Sequence, residues 1–289
     1  VASLRAQERP PAEIVVVDNA SSEAERQRLR REVASVPGVR LLLLDDNRQF
    51  AGGLNAGARD AFAAGAERVL LLNNDTVLAP DALGRLEDAL SERHGTGIAG
   101  PTVVDLRDPT RVITAGERVL LPLLCVPRTL LRYRARGDAP YAVSGIMGCA
   151  LLVTRECFEA VGGFAEEIQV YYEDVDFCLA ARAGGFGAVL VPRAVVRHDG
   201  MRGFAAGLTP WAAFLKARNP WLVVRRHGTA LTWLTFVPTY AALVLASAAI
   251  WAVRGRLDVV RALARGVGAG IAAATGGRAV PVGPPRGRA

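Results

Sequence analysis

From Glu13 to about Pro101 the chain alternates between short apolar runs and longer amphipathic ones, and this alternation constrains its fold more than any other feature. "EIVVVDNAS" reads as a buried strand, followed by a polar helix over Ser22–Val36. "VRLLLLDDN" is a second strand and "GGLNAGARDAFAAG" a helix opened by glycines. "ERVLLLNNDT" is a third strand, and "APDALGRLEDALSERHG" a helix with Pro near its start and Gly after its end. Strands that alternate with helices predict a parallel, doubly wound α/β sheet. Such sheets bind ligands beyond the carboxyl ends of their strands. Asp18, Asn47 and Asp75 all fall at predicted strand carboxyl ends, which points to a site there.

Thr102–Pro140 is less regular, with the Leu/Pro/Arg-rich stretch "VLLPLLCVPRTLLRYRARG" read either as a loop over the site or as a membrane-facing element. Order then returns. "AVSGIMGCALLVTRE" predicts a strand, "ECFEAVGGF" a short helix, "YEDVDFCLAARAGG" a helix ended by Gly184 and Gly185, and "GAVLVPRAVVRHDG" a strand that carries His198 at its end.

The formal charge of +7 raises the question of nucleic acid, but the arginines do not cluster on one periodic face with interleaved aromatics, so no nucleic-acid partner is expected. Many lie near the C-terminus beside apolar segments, where an anionic membrane surface is the better partner. Thr229–Val253 carries no charge and is flanked by Arg225, Arg226 and His227 on one side and Arg254 and Arg256 on the other. At ~1.5 Å per residue it is about 37 Å long, enough for a hydrocarbon core of ~30 Å. Pro238 inside it leaves both a crossing helix and a kinked, in-plane one open. The four cysteines, Cys125, Cys149, Cys157 and Cys178, form no CxxC pair and read as buried thiols of a reducing compartment.

Two clusters could carry chemistry. Asn73, Asn74 and Asp75 close the third strand, and Glu173, Asp174 and Asp176 open a helix, where 173 and 176 share a face. Each carboxylate alone is explained by the preference of acids for first helical turns and turns between elements. Taken with His198, they fit a divalent metal site plus a base, the imidazole shifting preference from Mg²⁺ towards Mn²⁺. "NRQFAGGLNAGAR" lacks both the dinucleotide GxGxxG and the P-loop pattern, and close packing of helix on sheet accounts for its glycines.

Taken together and in this order, "EIVVVDNASS", "NRQFAGGLNAGAR", "VLLLNNDTVLAPDAL" and the run from "VSGIMGCALL" to "VVRHDG" resemble the family 2 glycosyltransferases over residues 1–225, and more narrowly their bacterial rhamnosyltransferase-type members. The resemblance implies a GT-A-type, doubly wound mixed sheet with helices on both faces, followed here by C-terminal apolar helices. It implies inverting transfer of a sugar, rhamnose among the candidates, from a dTDP- or UDP-linked donor to a hydroxyl of a cell-surface glycan or lipid-linked acceptor, with Mn²⁺ or Mg²⁺. Residues 226–276 are expected to be membrane-associated at the cytoplasmic face, peripherally or through one crossing helix, and 277–289 to be a disordered tail.

Residue by residue, the resemblance makes Asp75 and His198 metal ligands and Asp174 the catalytic base, with Glu173 as the alternate. Asp18, Asn19, Asn47, Gly52, Gly53, Asn55, Asn73 and Asn74 fall on the donor side, Asn73 standing where the family usually carries an aspartate. Gly145 and Gly148 precede the acceptor pocket. The family also begins with a strand resembling "VSVVIVTYN" that walls the nucleotide pocket; this sequence starts after it, so the resemblance implies either a fragment or a misassigned start. The rival readings are a nucleotidyltransferase and a membrane-bound relative without turnover.

Overall fold

The computed structural model describes residues 1–124, 137–199 and 208–277. Cys125, most of the Leu/Pro/Arg-rich stretch and the tail from residue 278 lie outside the described residues.

The predicted alternation is present: a one-turn helix α1 (Ala2–Arg5), β1 (Ile14–Asp18), α2 (Glu23–Ala34), β2 (Val39–Leu43), α3 (Gln49–Ala63), β3 (Arg68–Leu72), the short β4 (Thr76–Leu78) and α4 (Ala82–Ser91). Ser22 caps α2 in a reciprocal box with Glu25, which is why this helix forms although it buries none of its residues. Helix α3 starts at Gln49, ahead of the glycines expected to open it.

The next segment departs from expectation. The longest strand so far, β5 (Thr96–Asp105), which the sequence pattern does not predict, runs into the region expected to be irregular, and that region also holds the short β6 (Val112–Thr114). The single strand expected over 142–156 is two, β7 (Tyr141–Val143) and β8 (Ala150–Thr154), with Gly145 and Gly148 in the turn between them. Then come α5 (Arg155–Val161), α6 (Glu173–Ala183) and β9 (Gly187–His198), as read from the sequence.

The main sheet is mixed, with order β3-β8-β5-β9-β4, β6 added on β5 and β7 on β9. Only β5–β9 and the separate pair β1–β2 are parallel; β8 runs against β3 and β5, and β4 against β9. The local pattern therefore misleads on direction, whereas the mixed sheet implied by the resemblance is found. Among the described residues β1 and β2 form their own two-stranded sheet, and no ladder joins β1 to β3.

Alternation along the strands builds a core on each face. Leu151 and Val153 of β8 pack with Phe62 of α3, Phe158 of α5 and Phe177 of α6, while Ala150 and Leu152 pack with Leu83, Leu86 and Leu90 of α4. Because β3, β5 and β9 run the same way, their carboxyl ends gather at one edge. That edge carries Asn73–Asp75, Asp105 and His198.

Three further helices lie C-terminal to the sheet: α7 (Pro210–His227), α8 (Ala230–Val253) and α9 (Leu257–Ala274). Trp221 of α7 is the hub, with Trp233, Phe236 and Tyr240 of α8 tilted or edge-on around it. Helix α8 runs through Pro238 and is long and apolar enough to cross a membrane, but only 11% of its most apolar window is buried.

Candidate active site

The ledge begins where β3 stops. The Asn73 N–H donates to the Cys149 carbonyl at 2.9 Å, and Thr76 Oγ1 donates to the Asn73 carbonyl at 2.6 Å, which turns the chain into β4. Strand β4 then pairs with β9 so that Thr76 stands opposite His198. The register carries Asp75 alongside, with His198 Nε2 3.2 Å from Asp75 Oδ1 and the Asp199 N–H on the Asp75 carbonyl at 3.1 Å. The Asp75 carboxylate is 43% exposed and the imidazole only 13%, so the carboxylate faces outward from a tucked-in partner. Asn73 Oδ1 is a buried acceptor with no hydrogen-bond partner among the described residues. Asn74 is exposed.

The acidic helix faces this ledge from across β8. Glu173, Asp174 and Asp176 are all buried, at a position where burial of unpaired charge would be strongly unfavourable. Their environments differ. Asp174 Oδ2 accepts the Gly148 N–H at 2.9 Å and Oδ1 the Val175 N–H at 2.8 Å. A Cβ on Gly148 would stand 3.3 Å from Asp174 Cβ and 3.6 Å from Glu173 Oε1, so both acids border this glycine. Asp176 turns away to α7, with Arg226 Nε and His227 Nε2 each 2.8 Å from its Oδ1. On this helix 173 and 174, and not the face-sharing pair 173 and 176, meet at Gly148.

Cys149 reports on the convergence of these groups. Burial, then the charges of Asp174, Asp75 and Glu117, push its thiol far above the usual range. Three carboxylates from three segments therefore lie within electrostatic reach of this thiol. Glu117 is not apparent from the sequence, where a lone acid after Gly116 gives no signal. It is buried and exchanges backbone hydrogen bonds with Gly145, the Glu117 N–H donating to the Gly145 carbonyl at 3.0 Å and the Gly145 N–H returning at 3.1 Å.

On the expected donor side, Asn19 Nδ2 donates to the Gln49 carbonyl at 2.8 Å while its Oδ1 accepts the Arg48 N–H at 2.8 Å; Asn47 Oδ1 accepts the Gln49 N–H at 2.9 Å. These bonds hold Gln49 at φ 57° and shape the entry to α3. A Cβ on Gly53 would stand 3.3 Å from Asn19 Nδ2, and one on Gly52 would clash with Arg48 Cβ at 2.5 Å, so both glycines permit close approach. Asp18 and Asn55 are committed inside the protein. Asp18 pairs with Arg26 Nε at 2.9 Å and accepts the Ser21 N–H; Asn55 donates to the Phe164 carbonyl and Glu166 Oε1 and accepts the Phe164 N–H at 2.8 Å. These two side chains hold the wall together from within. Two cavities of about 350 and 470 Å³ open around Arg93, Thr96 and Phe186 and are lined by none of these residues, so the site is identified by its chemistry and not by depth.

The family model "Glycosyltransferase like family 2" matches residues 1–224. The dTDP-rhamnosyl transferase RfbF of Shigella flexneri is 25% identical over 224 residues, covering 74% of this chain and 71% of its own length. The N-acetylglucosaminyl-diphospho-decaprenol L-rhamnosyltransferase of Mycobacterium tuberculosis is 29% identical over 220 residues, covering 68% and 70%. This chain spans between 21% and 71% of the length of the curated relatives it matches. Among solved structures, the mannosyltransferase PcManGT from Pyrobaculum calidifontis, in complex with GDP-Man and Mn²⁺, superposes with a TM-score of 0.55 at 22% identity, covering 95% of this chain and 70% of that one. That likeness shows the fold, a mixed sheet with helices on both faces. Over residues 1–224 the chain belongs to the glycosyltransferase-like family 2.

Proposed function

We propose that the protein is an inverting glycosyltransferase that moves a sugar, rhamnose first among the candidates, from a dTDP- or UDP-linked donor to a hydroxyl of a lipid-linked or growing surface glycan. The observation that carries the reading is the opposition of two acidic elements across Gly148 and Cys149: an outward-facing Asp75–His198 pair on one side and the buried Glu173–Asp174 pair on the other. The names of the rhamnosyl-transferring relatives support the choice of sugar.

A divalent ion fits the ledge. Asp75 supplies an exposed carboxylate oxygen and His198 a nitrogen 3.2 Å away, and Asn73 Oδ1 is an acceptor awaiting a donor or cation. Asp75 and His198 would hold such an ion, the imidazole favouring Mn²⁺ over Mg²⁺, and when bound it would supply neutralisation of charge on a leaving nucleoside diphosphate.

The chain's own residues do the rest. An acceptor hydroxyl is a poor nucleophile, so a carboxylate within hydrogen-bond reach must take its proton as the new bond forms. Asp174 is the base in this reading, its carboxylate oriented by the Gly148 and Val175 N–H groups, with Glu173 beside it. Asn73 and Asn74 orient the donor, the Asn19–Asn47 loop and Gly52–Gly53 admit it, and Gly145 and Gly148 leave room for the acceptor. Fixing both substrates in line supplies much of the remaining acceleration.

Helix α8 supports a membrane surface as the setting of this chemistry. Leu231, Leu234, Leu245 and Val253 are exposed along one side, while the other side lies on Trp221, Phe214 and α9. A helix that touches the body through Phe236 and Tyr240 and leaves its outer face bare suits an in-plane position in the lipid interface. Exposed Arg254, Arg261 and Arg265 suit anionic headgroups, which supports the cytoplasmic face of the membrane as the location.

The test is incubation with dTDP-rhamnose, UDP-glucose and GDP-mannose, each with Mn²⁺ and a diphospholipid-linked GlcNAc acceptor. Release of nucleoside diphosphate with sugar on the acceptor supports the reading; pyrophosphate released in a parallel incubation with dTTP and a sugar 1-phosphate identifies a nucleotidyltransferase, and no turnover of any donor refutes catalysis.

A further inference from the structure

The segment that leads into the acidic helix has an unusual backbone. Gln169, Tyr171 and Tyr172 have φ of 68°, 65° and 74°. Residues with a Cβ adopt this left-handed region in a cluster only where their surroundings enforce it. Here the enforcing element is α7. Asn219 Nδ2 donates to the carbonyls of Ile168, Val170 and Tyr171 at 2.9, 2.9 and 2.8 Å. Arg218 Nη2 donates to the Glu167 and Ile168 carbonyls at 3.0 and 3.3 Å, and Arg218 Nε donates to Asn219 Oδ1 at 2.9 Å, which fixes the amide's orientation. Of the other carbonyls in this run, Gln169 O accepts the Ala51 N–H at the start of α3, and Tyr172 O accepts the Asp176 N–H at 2.9 Å. Every carbonyl from Glu167 to Tyr172 therefore has a named donor.

Arg218 and Asn219 are fully buried, and the hydrogen bonds above run to backbone carbonyls of one short segment. A buried cation and amide are less favourable there than apolar residues of the same volume, unless they specify a conformation. Two turns further along α7, Arg226 and His227 hold Asp176 of α6.

We infer that Arg218 and Asn219, with the Asp176–Arg226–His227 contact as a second anchor, are positioning residues that hold the 167–172 segment in its left-handed course and so set Glu173 and Asp174 against Gly148. The inference rests on the reading of Asp174 as the base; the clamp on the segment is independent of it. Helix α7 thereby gains a second role, since the helix that carries the membrane-facing α8 is also the one that orients the catalytic acids.

The test uses the full chain and three variants. Asn219→Asp keeps the side chain's shape and removes its donors; Asn219→Ser keeps one donor; Tyr240→Phe removes a hydroxyl bonded to the Ala217 carbonyl on the same helix and serves as the stability control. Amide exchange and turnover of dTDP-rhamnose with Mn²⁺ are measured for each. Asn219→Asp is expected to speed exchange over residues 167–176 by at least about 10-fold with the sheet unchanged. Its kcat should fall about 100-fold while KM for the donor stays within about 3-fold. Asn219→Ser should fall between, and Tyr240→Phe should lower Tm with neither effect. Wild-type exchange over 167–176 in folded Asn219→Asp overturns the clamp, and a loosened segment with unchanged kcat overturns the positioning role. If Asn219→Asp does not fold, Asn219→Ser is judged by the same two readings. A wild-type protein inert towards dTDP-rhamnose counts against the proposed donor, and the exchange result then decides the clamp alone.

Discussion

His198 Nε2 stands 3.2 Å from Asp75 Oδ1 because Thr76 of β4 is paired with His198 of β9. Residues far apart in sequence are thus fixed by a three-residue ladder, and the pair's outward carboxylate is the one acid of the ledge. Removing it should cost more than removing the neutral acceptor beside it. Asp75→Ala is expected to lower kcat by about 10²–10³-fold, as loss of one preorganised charge-stabilising group does. Asn73→Ala should lose only about 10-fold, the scale of one hydrogen bond of ~1.4 kcal/mol. Chelation by EDTA should abolish transfer and Mn²⁺ restore it, with His198→Ala raising the Mn²⁺ concentration needed. Equal losses from Asp75→Ala and Asn73→Ala in steady-state kinetics would refute this division of roles.

Asp174→Asn preserves the shape and its place beside Gly148 but removes the proton acceptor. Transfer should drop by at least about 10³-fold, within the range for general bases. Donor affinity, measured by calorimetry with dTDP and Mn²⁺, should stay within about 3-fold, since the base acts on the acceptor. A matching loss of affinity would reassign Asp174 to the donor site.

Gly148→Ala tests the same contact from the other side. The added methyl meets Asp174 Cβ at 3.3 Å, tighter than ordinary packing, so the carboxylate must shift by a few tenths of an ångström. A fall in kcat of about 10-fold or more with Tm within about 3 °C is expected, because small misplacement of a reacting group is costly. A variant as active as the wild type would show that the Asp174 position is not critical.

The thiols give a prediction about pH. Burial pushes Cys157 up from an ordinary 9.0 to about 12, and burial with three nearby carboxylates pushes Cys149 further. The thiolate is the reactive form, so neither should react with maleimide at about pH 7.5 until the protein unfolds. The sign of the linkage follows from these shifts. Between about 9 and about 12 the unfolded chain has released these protons and the folded one retains them, so stability is complete below pH 9 and falls as pH rises towards 12. Thermal melts from about pH 7 to about pH 11 should show this decline, and Cys157→Ala and Cys149→Ala should flatten it. Rapid labelling of the native protein would contradict the buried placement.

Leu234 and Leu245 are 72% and 70% exposed on α8. Leu234→Asp with Leu245→Asp should abolish co-sedimentation with vesicles containing anionic lipid while leaving Tm within about 2 °C, since exposed positions contribute little to stability. Raising salt should weaken wild-type binding in part, as the arginine contribution is screened and the apolar one is not. Unchanged sedimentation of the double variant would refute the in-plane reading.

Much of the fold is legible from periodicity. β1, β2, β3, α6 and β9 stand where their apolar spacing predicts them, although the apolar residues of β1 and β2 are half-buried and not buried. Strand β5 does not, since "TGIAGPTVVD" carries two glycines and a proline that read as loop punctuation. The structure gives the reason for them: a Cβ on Gly97 would stand 2.7 Å from Cys157 Sγ, and one on Gly100 2.3 Å from Ile146 Cγ2, while the register shifts beside Pro101. Close packing, not a turn, demands small residues there. The ledge and the acidic helix are visible as clusters of residue types, but Glu117, Arg218 and Asn219 are not. Their importance lies in contacts between residues distant in sequence, such as the Glu117 N–H donating to the Gly145 carbonyl and Arg218 to the Ile168 carbonyl, which no local pattern encodes.

The separation of β1–β2 from the main sheet has a practical consequence. Helix α3 is the tie between them, with Gly57 against Val17 of β1 and Phe62 in the same core as Leu71 of β3. That helix therefore sets where the Asn19–Asn47 loop sits relative to the sheet, so a substitution that loosens Phe62 in its core should displace the loop together with β1 and β2.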